Sequence, residues 1–258
     1  MRRLPSMLIA ATIALALLMT ACGNDSSTTD STPGGGPITV FAAASLTSAF
    51  KEIGSAFTAA HPGASVTFSF AASSELVTQI NQGAPADVFA SADQSNMTKL
   101  TDAKNSAGAP VVFATNSAQI IVGPGNPKGI TGVADLAKPD LIVVSCAAEV
   151  PCGKYSAQIL DKAGVTLTPR SLEANVKGVV AKVTLGEADA GIVYTTDVIA
   201  AGDKAAGVVI PPALNVVAQY PIAVTKTSAH RAAAQSFVDF VRSAAGQKIL
   251  TSNGFGTP

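Results

Sequence analysis

The chain has 258 residues, with 17 Lys and Arg against 17 Asp and Glu, a formal net charge of +0, no Trp and 3 Tyr. That balance supplies no basic field for nucleic acid, and so few aromatics leave no platform on which bases or sugars could stack. The length after the leader suits one large domain or two smaller lobes.

The first segment stands apart from the fold. Arg2 and Arg3 precede an almost wholly apolar run, Met7 to Met19, and Thr20-Ala21 leads to Cys22. Residues 1–21 read as a secretory signal peptide; the run is short for a membrane span. Met19-Thr20-Ala21-Cys22 resembles a bacterial lipobox, in which the cysteine is lipidated and becomes the mature N-terminus. Simple secretion and an uncleaved anchor are the alternatives. Gly23 to Pro37 has no apolar side chain to bury and reads as a tether, so residues 22–37 form an anchor and leash at the outer face of a membrane. Losing Arg2 and Arg3 with the leader takes the net charge from +0 to about −2.

From Ile38 on, strand and helix patterns alternate. Apolar, β-rich runs lie at 38–43, 65–70, 87–90, 118–123, 141–145, 190–194 and 216–224. Helical patterns lie at 45–60, 73–82, 94–103, 132–137, 153–163, 175–186, 195–201 and 229–244. Short connections predict an α/β architecture with mostly parallel sheets flanked by helices. The runs at 118–123 and 216–224 bracket the middle third. The expected division is a first lobe of 38–115 plus 218–258 and a second of 116–217, with a ligand cleft between them; one continuous sheet is the alternative. Gly123-Pro-Gly-Asn-Pro-Lys-Gly129 looks phosphate-like, but its prolines remove donors and it reads as a surface turn.

Three cysteines are an odd number for an exported chain. The count resolves if Cys22 carries lipid and Cys146 pairs with Cys152 across a short loop; two buried thiols are the alternative.

Strand ends followed by helix starts are where a small anion would sit, because a helix N-terminus offers free N–H groups and a partial positive charge. Ser45 follows the first strand in Ile38-Thr-Val-Phe-Ala-Ala-Ala-Ser45-Leu46, and Ser73 follows the second in Phe70-Ala-Ala-Ser73-Ser74-Glu-Leu76. Each could be an ordinary N-cap, and Ser74 competes with Ser73. Further on, Val150-Pro-Cys152-Gly-Lys-Tyr155 and Asn175-Val176-Lys-Gly178 open helices, with Asn175 as a cap, and Tyr194 ends a strand either as a core aromatic or as a hydroxyl donor. Asp87 and Asp93 read as structural, Asp93 as a cap. Glu75 falls in a first helical turn, where it could border the cleft mouth, and Glu149 reads as solvated.

Taken together, ITVFAAASL (38–46), FAASSEL (70–76), QGAPADVFASAD (82–93), EVPCGKY (149–155), NVKG (175–178), GEADAGIVYTTD (186–197) and QYPIAV (219–224) resemble the substrate-binding protein of bacterial molybdate ABC transporters. The resemblance spans essentially the whole body. It implies a two-lobed periplasmic-binding-protein fold, type II-like, a monomer that meets a membrane permease, and no catalysis. It implies that Ser45 and Ser73 give hydroxyl and backbone donors to molybdate or tungstate, that Cys152 and Val176 give backbone N–H groups, and that Tyr194 gives its hydroxyl. An alanine-like residue is expected where Cys152 stands; backbone donation survives that change. No cofactor and no direct metal-cation ligand are implied, since molybdenum arrives as an oxyanion. Sulfate or thiosulfate binding is the nearest alternative. A serine hydrolase is a remote one, because the chain has only His61 and His230 to serve as base and neither adjoins a strand end in this reading.

Overall fold

The computed structural model describes residues 35–258. The expected signal peptide, Cys22 and most of the expected tether lie outside the described residues. The strands are β1 (Gly36–Ala43), β2 (Ala64–Ala71), β3 (Val88–Ala90), β4 (Val111–Val122), β5 (Val143–Cys146), β6 (Leu172–Glu173), β7 (Ala190–Tyr194), β8 (Ala206–Val209) and β9 (Val217–Val224). The helices are α1 (Thr47–Ala60), α2 (Ser73–Asn81), α3 (Gln94–Asp102), α4 (Pro151–Lys162), α5 (Val176–Thr184), α6 (Thr195–Ala201), α7 (Arg231–Arg242) and α8 (Ala244–Ser252). β1 begins at Gly36, inside the segment expected as tether, and Gly36 N–H donates to the Gly63 carbonyl.

The strands run in the order β2-β1-β3-β9-β4-β7-β5-β6, with β8 added against β4. The expectation of mostly parallel sheets is corrected. β1 pairs in parallel with β2 and β3, and β5 with β6 and β7, but β9 and β4 run antiparallel to every neighbour. The sheet is therefore mixed: α-crossovers impose parallel pairing at its flanks, and the returning strand β9 reverses it in the middle. β4 joins two regions. Its pairing with β9 ends at Ser117↔Val217, and the next residue, Ala118, pairs with Tyr194 of β7.

Why these segments fold so is visible in their burial. β1 is covered on both faces from Phe41 to Ala43, as a strand between two parallel neighbours must be. Helix α1 turns Phe50, Ile53 and Phe57 inward at helical spacing, where they meet Phe113 and Phe237 in edge and tilted ring contacts. A second apolar cluster, around Ile120, Ile159 and Ile192, lies wholly within 118–210. A third, around Phe41, Leu76, Phe89 and Leu100, packs α2 and α3 on the sheet near β1 and β3. The C-terminal helical run extends further than the sequence pattern indicates and is broken at Ser243, whose side chain accepts from Gly246 N–H and starts α8. The segment at Gly123–Gly129 is a turn, with Gly125 and Asn126 at positive φ.

Candidate functional site

Register brings the two serines together. Ala43 of β1 pairs with Ala71 of β2, so Ser45 and Ser73 follow their strands at the same offset and stand side by side at the carboxyl ends of parallel strands. That edge is where open α/β sheets collect ligands. From the other region, α4, α5 and the end of β7 bring Cys152, Val176 and Tyr194 to the same point. All five line one small cavity, walled elsewhere by Ala43, Ala44, Ala71, Ala72 and Ala92 and by Val150, Pro151 and Asn175. Its volume is about 20 Å³, on a measure by which one water needs roughly 10–15 Å³. It suits one compact polyatomic group and is far too small for a sugar or a peptide. Among the described residues, no Asp, Glu, Lys, Arg or His contributes to its wall.

The five groups are set in different ways. Ser45 is not the N-cap that its position after the strand suggests: it lies inside a 3-10 turn, Ala44–Leu46, with no side-chain cap. Its Oγ lies 2.9 Å from the Tyr220 hydroxyl instead. Ser73 is the first residue of α2 and also leaves the cap unmade; its Oγ accepts from Ala92 N–H at 3.0 Å. Ser74 does not line the cavity. In α4 and α5, Cys152 and Val176 sit in the first turn, where N–H groups have no intrahelical acceptor. Asn175 caps α5 by accepting from Lys177 N–H at 3.0 Å, leaving the preceding N–H of Val176 free of that cap. Cys152 is disulfide-bonded to Cys146 at the end of β5. Gly153 permits the close seating of α4 on the same loop, since a Cβ there would lie 1.9 Å from the Ala147 carbonyl oxygen.

Tyr194 differs from all of these. Only 3 % exposed, it presents a hydroxyl without a hydrogen-bond partner among the described residues. Burial holds its phenol well above the usual range, and the nearby tyrosines and Asp197 push it the same way, so the hydroxyl stays protonated and able to donate. Leaving such a group unpaired costs about 1–3 kcal/mol, which a ligand with acceptor oxygens would recover.

Charges flank the cavity in neutral pairs. Asp197, fully buried in α6, binds Lys177 Nζ at 2.8 Å and accepts from Tyr194 N–H at 3.3 Å. Burial raises its carboxyl above the ordinary value even though Lys177 pulls it down. Asp93 caps α3 through Asn96 N–H and also meets Lys154 Nζ of α4 at 3.2 Å. Lys154 reaches Ser95 Oγ at 2.6 Å as well, and the Tyr155 hydroxyl donates to the Ala92 carbonyl. These contacts tie 92–95 to the start of α4 across the cavity.

The remaining sequence candidates lie elsewhere. Asp87 is structural, accepting from Thr39 N–H and the Ser228 hydroxyl. Glu75 is exposed in the first turn of α2 and Glu149 is exposed before α4. His61 stacks on Phe57 and His230 precedes α7; neither lines the cavity with the serines. Among the described residues no cluster of three or more His, Cys, Asp and Glu is placed to hold a metal ion. Sequence reasoning missed Tyr220, Asn116 and the Lys154–Asp93 contact. The tyrosine count was a usable signal for the first, because Tyr155, Tyr194 and Tyr220 form one row at the cavity, with successive ring centroids 6.3 and 6.0 Å apart.

Comparison with known proteins agrees with this geometry. The sequence profile of the family described as bacterial extracellular solute-binding protein matches residues 38–256. The molybdate-binding protein ModA of Mycobacterium tuberculosis is 47% identical over 243 residues, covering 93% of each chain. Among solved structures, the periplasmic molybdate-binding protein of Azotobacter vinelandii superposes with a TM-score of 0.74 at 22% identity, over 86% of this chain and 99% of that one. The sulfate-binding protein SubI of M. tuberculosis superposes at 0.75 with 23% identity, over 85% and 86%. At those identities the two structures speak for the fold alone.

Proposed function

We propose that this chain, which belongs to the bacterial extracellular solute-binding proteins and within them to the molybdate-binding proteins of ABC transporters, captures molybdate, and tungstate with it, in the cavity between Ser45 and Tyr194. Members of this family bind solutes outside the cytoplasm for a transporter and are not enzymes. The observation that carries the ligand reading is the unpartnered, buried Tyr194 hydroxyl in an uncharged cavity already walled by Ser45, Ser73 and two helix starts.

A tetrahedral dianion with no proton has only acceptor oxygens, so it asks for donors and nothing else. Fixed dipoles and hydrogen bonds hold such an ion without a countercharge, and a carboxylate in the wall would repel it. Five charge-assisted bonds, from Ser45, Ser73, Cys152, Val176 and Tyr194, at ~1.5–3 kcal/mol each give ~8–15 kcal/mol gross. Association subtracts several, which leaves micromolar to nanomolar binding that a permease can still reverse.

The same reading includes two lobes, 38–115 plus 218–258 and 116–217, that hinge where β4 and β9 part at Ser117 and Val217 and close with Lys154 against Asp93. It includes a monomer held at the outer face of the membrane by lipid on Cys22 and delivering its ion to a membrane permease. Sulfate and thiosulfate satisfy the same donors, so cavity size has to reject them.

Thermal unfolding of the body in molybdate, tungstate, sulfate and phosphate tests the ligand. A ligand bound only by the native state raises Tm. Molybdate and tungstate are expected to raise it and phosphate to leave it unchanged. A shift with sulfate and none with molybdate would transfer the assignment to sulfate, and no shift with any oxyanion would remove it.

A further inference from the structure

We propose that Tyr220, itself oriented by Asn116, is a positioning residue that makes the Ser45 hydroxyl a one-way donor into the cavity. This rests on the reading of the cavity as an oxyanion site. A serine hydroxyl is ambivalent: it can donate once and accept twice. In a site for an ion that only accepts, a serine whose proton points into the protein presents its lone pairs to the anion and repels it. Something must therefore choose the direction.

At Ser73 the choice is made by the backbone. Ala92 N–H can only donate, and it donates to Ser73 Oγ at 3.0 Å. The Ser73 proton has no acceptor among the described residues and is left for the cavity. At Ser45 the partner is another hydroxyl, 2.9 Å away on Tyr220, and that bond could run either way. Two features settle its sense. A phenol is the more acidic hydroxyl and hence the better donor of the two. The Asn116 amide also lies behind Tyr220. Its Oδ1 accepts from Ser117 N–H at 3.0 Å, which turns its NH₂ toward Thr196 Oγ1 at 2.9 Å and the Tyr220 hydroxyl at 3.5 Å. With a donor behind its oxygen, Tyr220 spends its own proton on Ser45, and Ser45 sends its proton into the cavity.

The relay is permanently loaded. Tyr220 is fully buried and burial pushes its phenol far above the usual range, so it does not lose that proton at any physiological pH. Its ring is held edge-on by Phe113 and Phe255, which fixes where the hydroxyl points. Asn116 lies on β4 and Tyr220 on β9, the strands at which the two regions of the fold join. The direction of Ser45 is thus set from the proposed hinge rather than from the cavity wall.

A double-mutant cycle on the intact body, read as molybdate Kd by calorimetry, tests this. Tyr220→Phe keeps the ring and its contacts, and ligand-free Tm reports its fold. It is expected to weaken molybdate binding about five- to tenfold when Ser45 is present. In a Ser45→Ala background the same change is expected to cost nothing further, because Tyr220 then has no hydroxyl to direct. A role in packing alone would weaken both backgrounds equally. An unchanged Kd in Tyr220→Phe, or an equal loss in both backgrounds, overturns the proposal while leaving the oxyanion site intact. A wild-type chain that binds neither molybdate nor any of the other oxyanions tested overturns the site and this inference with it.

Discussion

The two walls of the cavity reach one end by different physical means. On the wall from β1 and β2, the proposed donors include side-chain hydroxyls, whose hydrogen can rotate. Each has a dedicated partner to fix it, Tyr220 for Ser45 and Ala92 N–H for Ser73. On the wall from α4 and α5, the proposed donors are N–H groups of first helical turns, whose direction is fixed by the peptide plane and needs no partner. Tyr194 stands between these cases, a rotatable hydroxyl with no partner among the described residues. Rotatable donors are therefore vulnerable to changes behind them, and backbone donors only to changes in the backbone.

The sharpest way to break the second wall is to delete a backbone donor without unfolding its helix. Val176 is the first residue of α5, where proline is tolerated, and Asn175 before it is already extended at φ −160 and ψ 174. Val176→Pro removes the N–H and puts a ring carbon where its hydrogen pointed, in a cavity of only about 20 Å³. Molybdate affinity should fall more than about 200-fold, beyond the ~1.5–3 kcal/mol of one charged hydrogen bond, while ligand-free Tm changes by a few degrees. Calorimetry on a variant of near-native Tm checks it; near-native affinity would show that this N–H is not a ligand.

Tyr194→Phe is the next largest, and its two readouts move in opposite directions. Removing a hydroxyl that has no partner should stabilise the ligand-free protein by up to about 1 kcal/mol, seen as a higher Tm. The same change should weaken molybdate about 10- to 100-fold, since the ion loses one donor. If Tm and affinity fall together, the hydroxyl has a partner in the free protein and the contrast with Ser45 and Ser73 disappears.

What the sequence disclosed follows the same division. The strand ends and helix starts were legible because small residues and helix signals are local: Ala42 to Ser45, Ala71 to Ser73 and Asn175-Val176 mark their junctions by themselves. The N-cap reading of Ser45 failed because capping is a local preference, and a long-range hydroxyl on Tyr220 won over it. Tyr220 and Asn116 could not be found from spacing, since 104 residues separate them and only the antiparallel pairing of β4 with β9 brings them together. That pairing also explains why a mostly parallel sheet was expected: buried strands read as continuous apolar runs whichever way they point. The short strands β6 and β8 carry little apolar pattern, with Leu172 and Val209 exposed, and they form by adding to edges already made.

The disulfide gives the smallest effect on binding and separates fixing a donor from fixing the fold. Cys146 and Cys152 close the loop that ends β5 and leads into α4. A cross-link over so short a loop contributes about 2 kcal/mol in the chain-entropy model, so Cys146→Ser with Cys152→Ser should lower Tm clearly. Binding should respond far less. The Cys152 N–H is aimed by the helix that follows it, and Gly153 still seats that helix on Ala147. A loss of about two- to threefold in molybdate affinity is expected, with faster hydrogen exchange confined to 147–153. A loss as large as that of Tyr194→Phe would mean that the backbone donor, like the serine hydroxyls, depends on a partner behind it, here a covalent one.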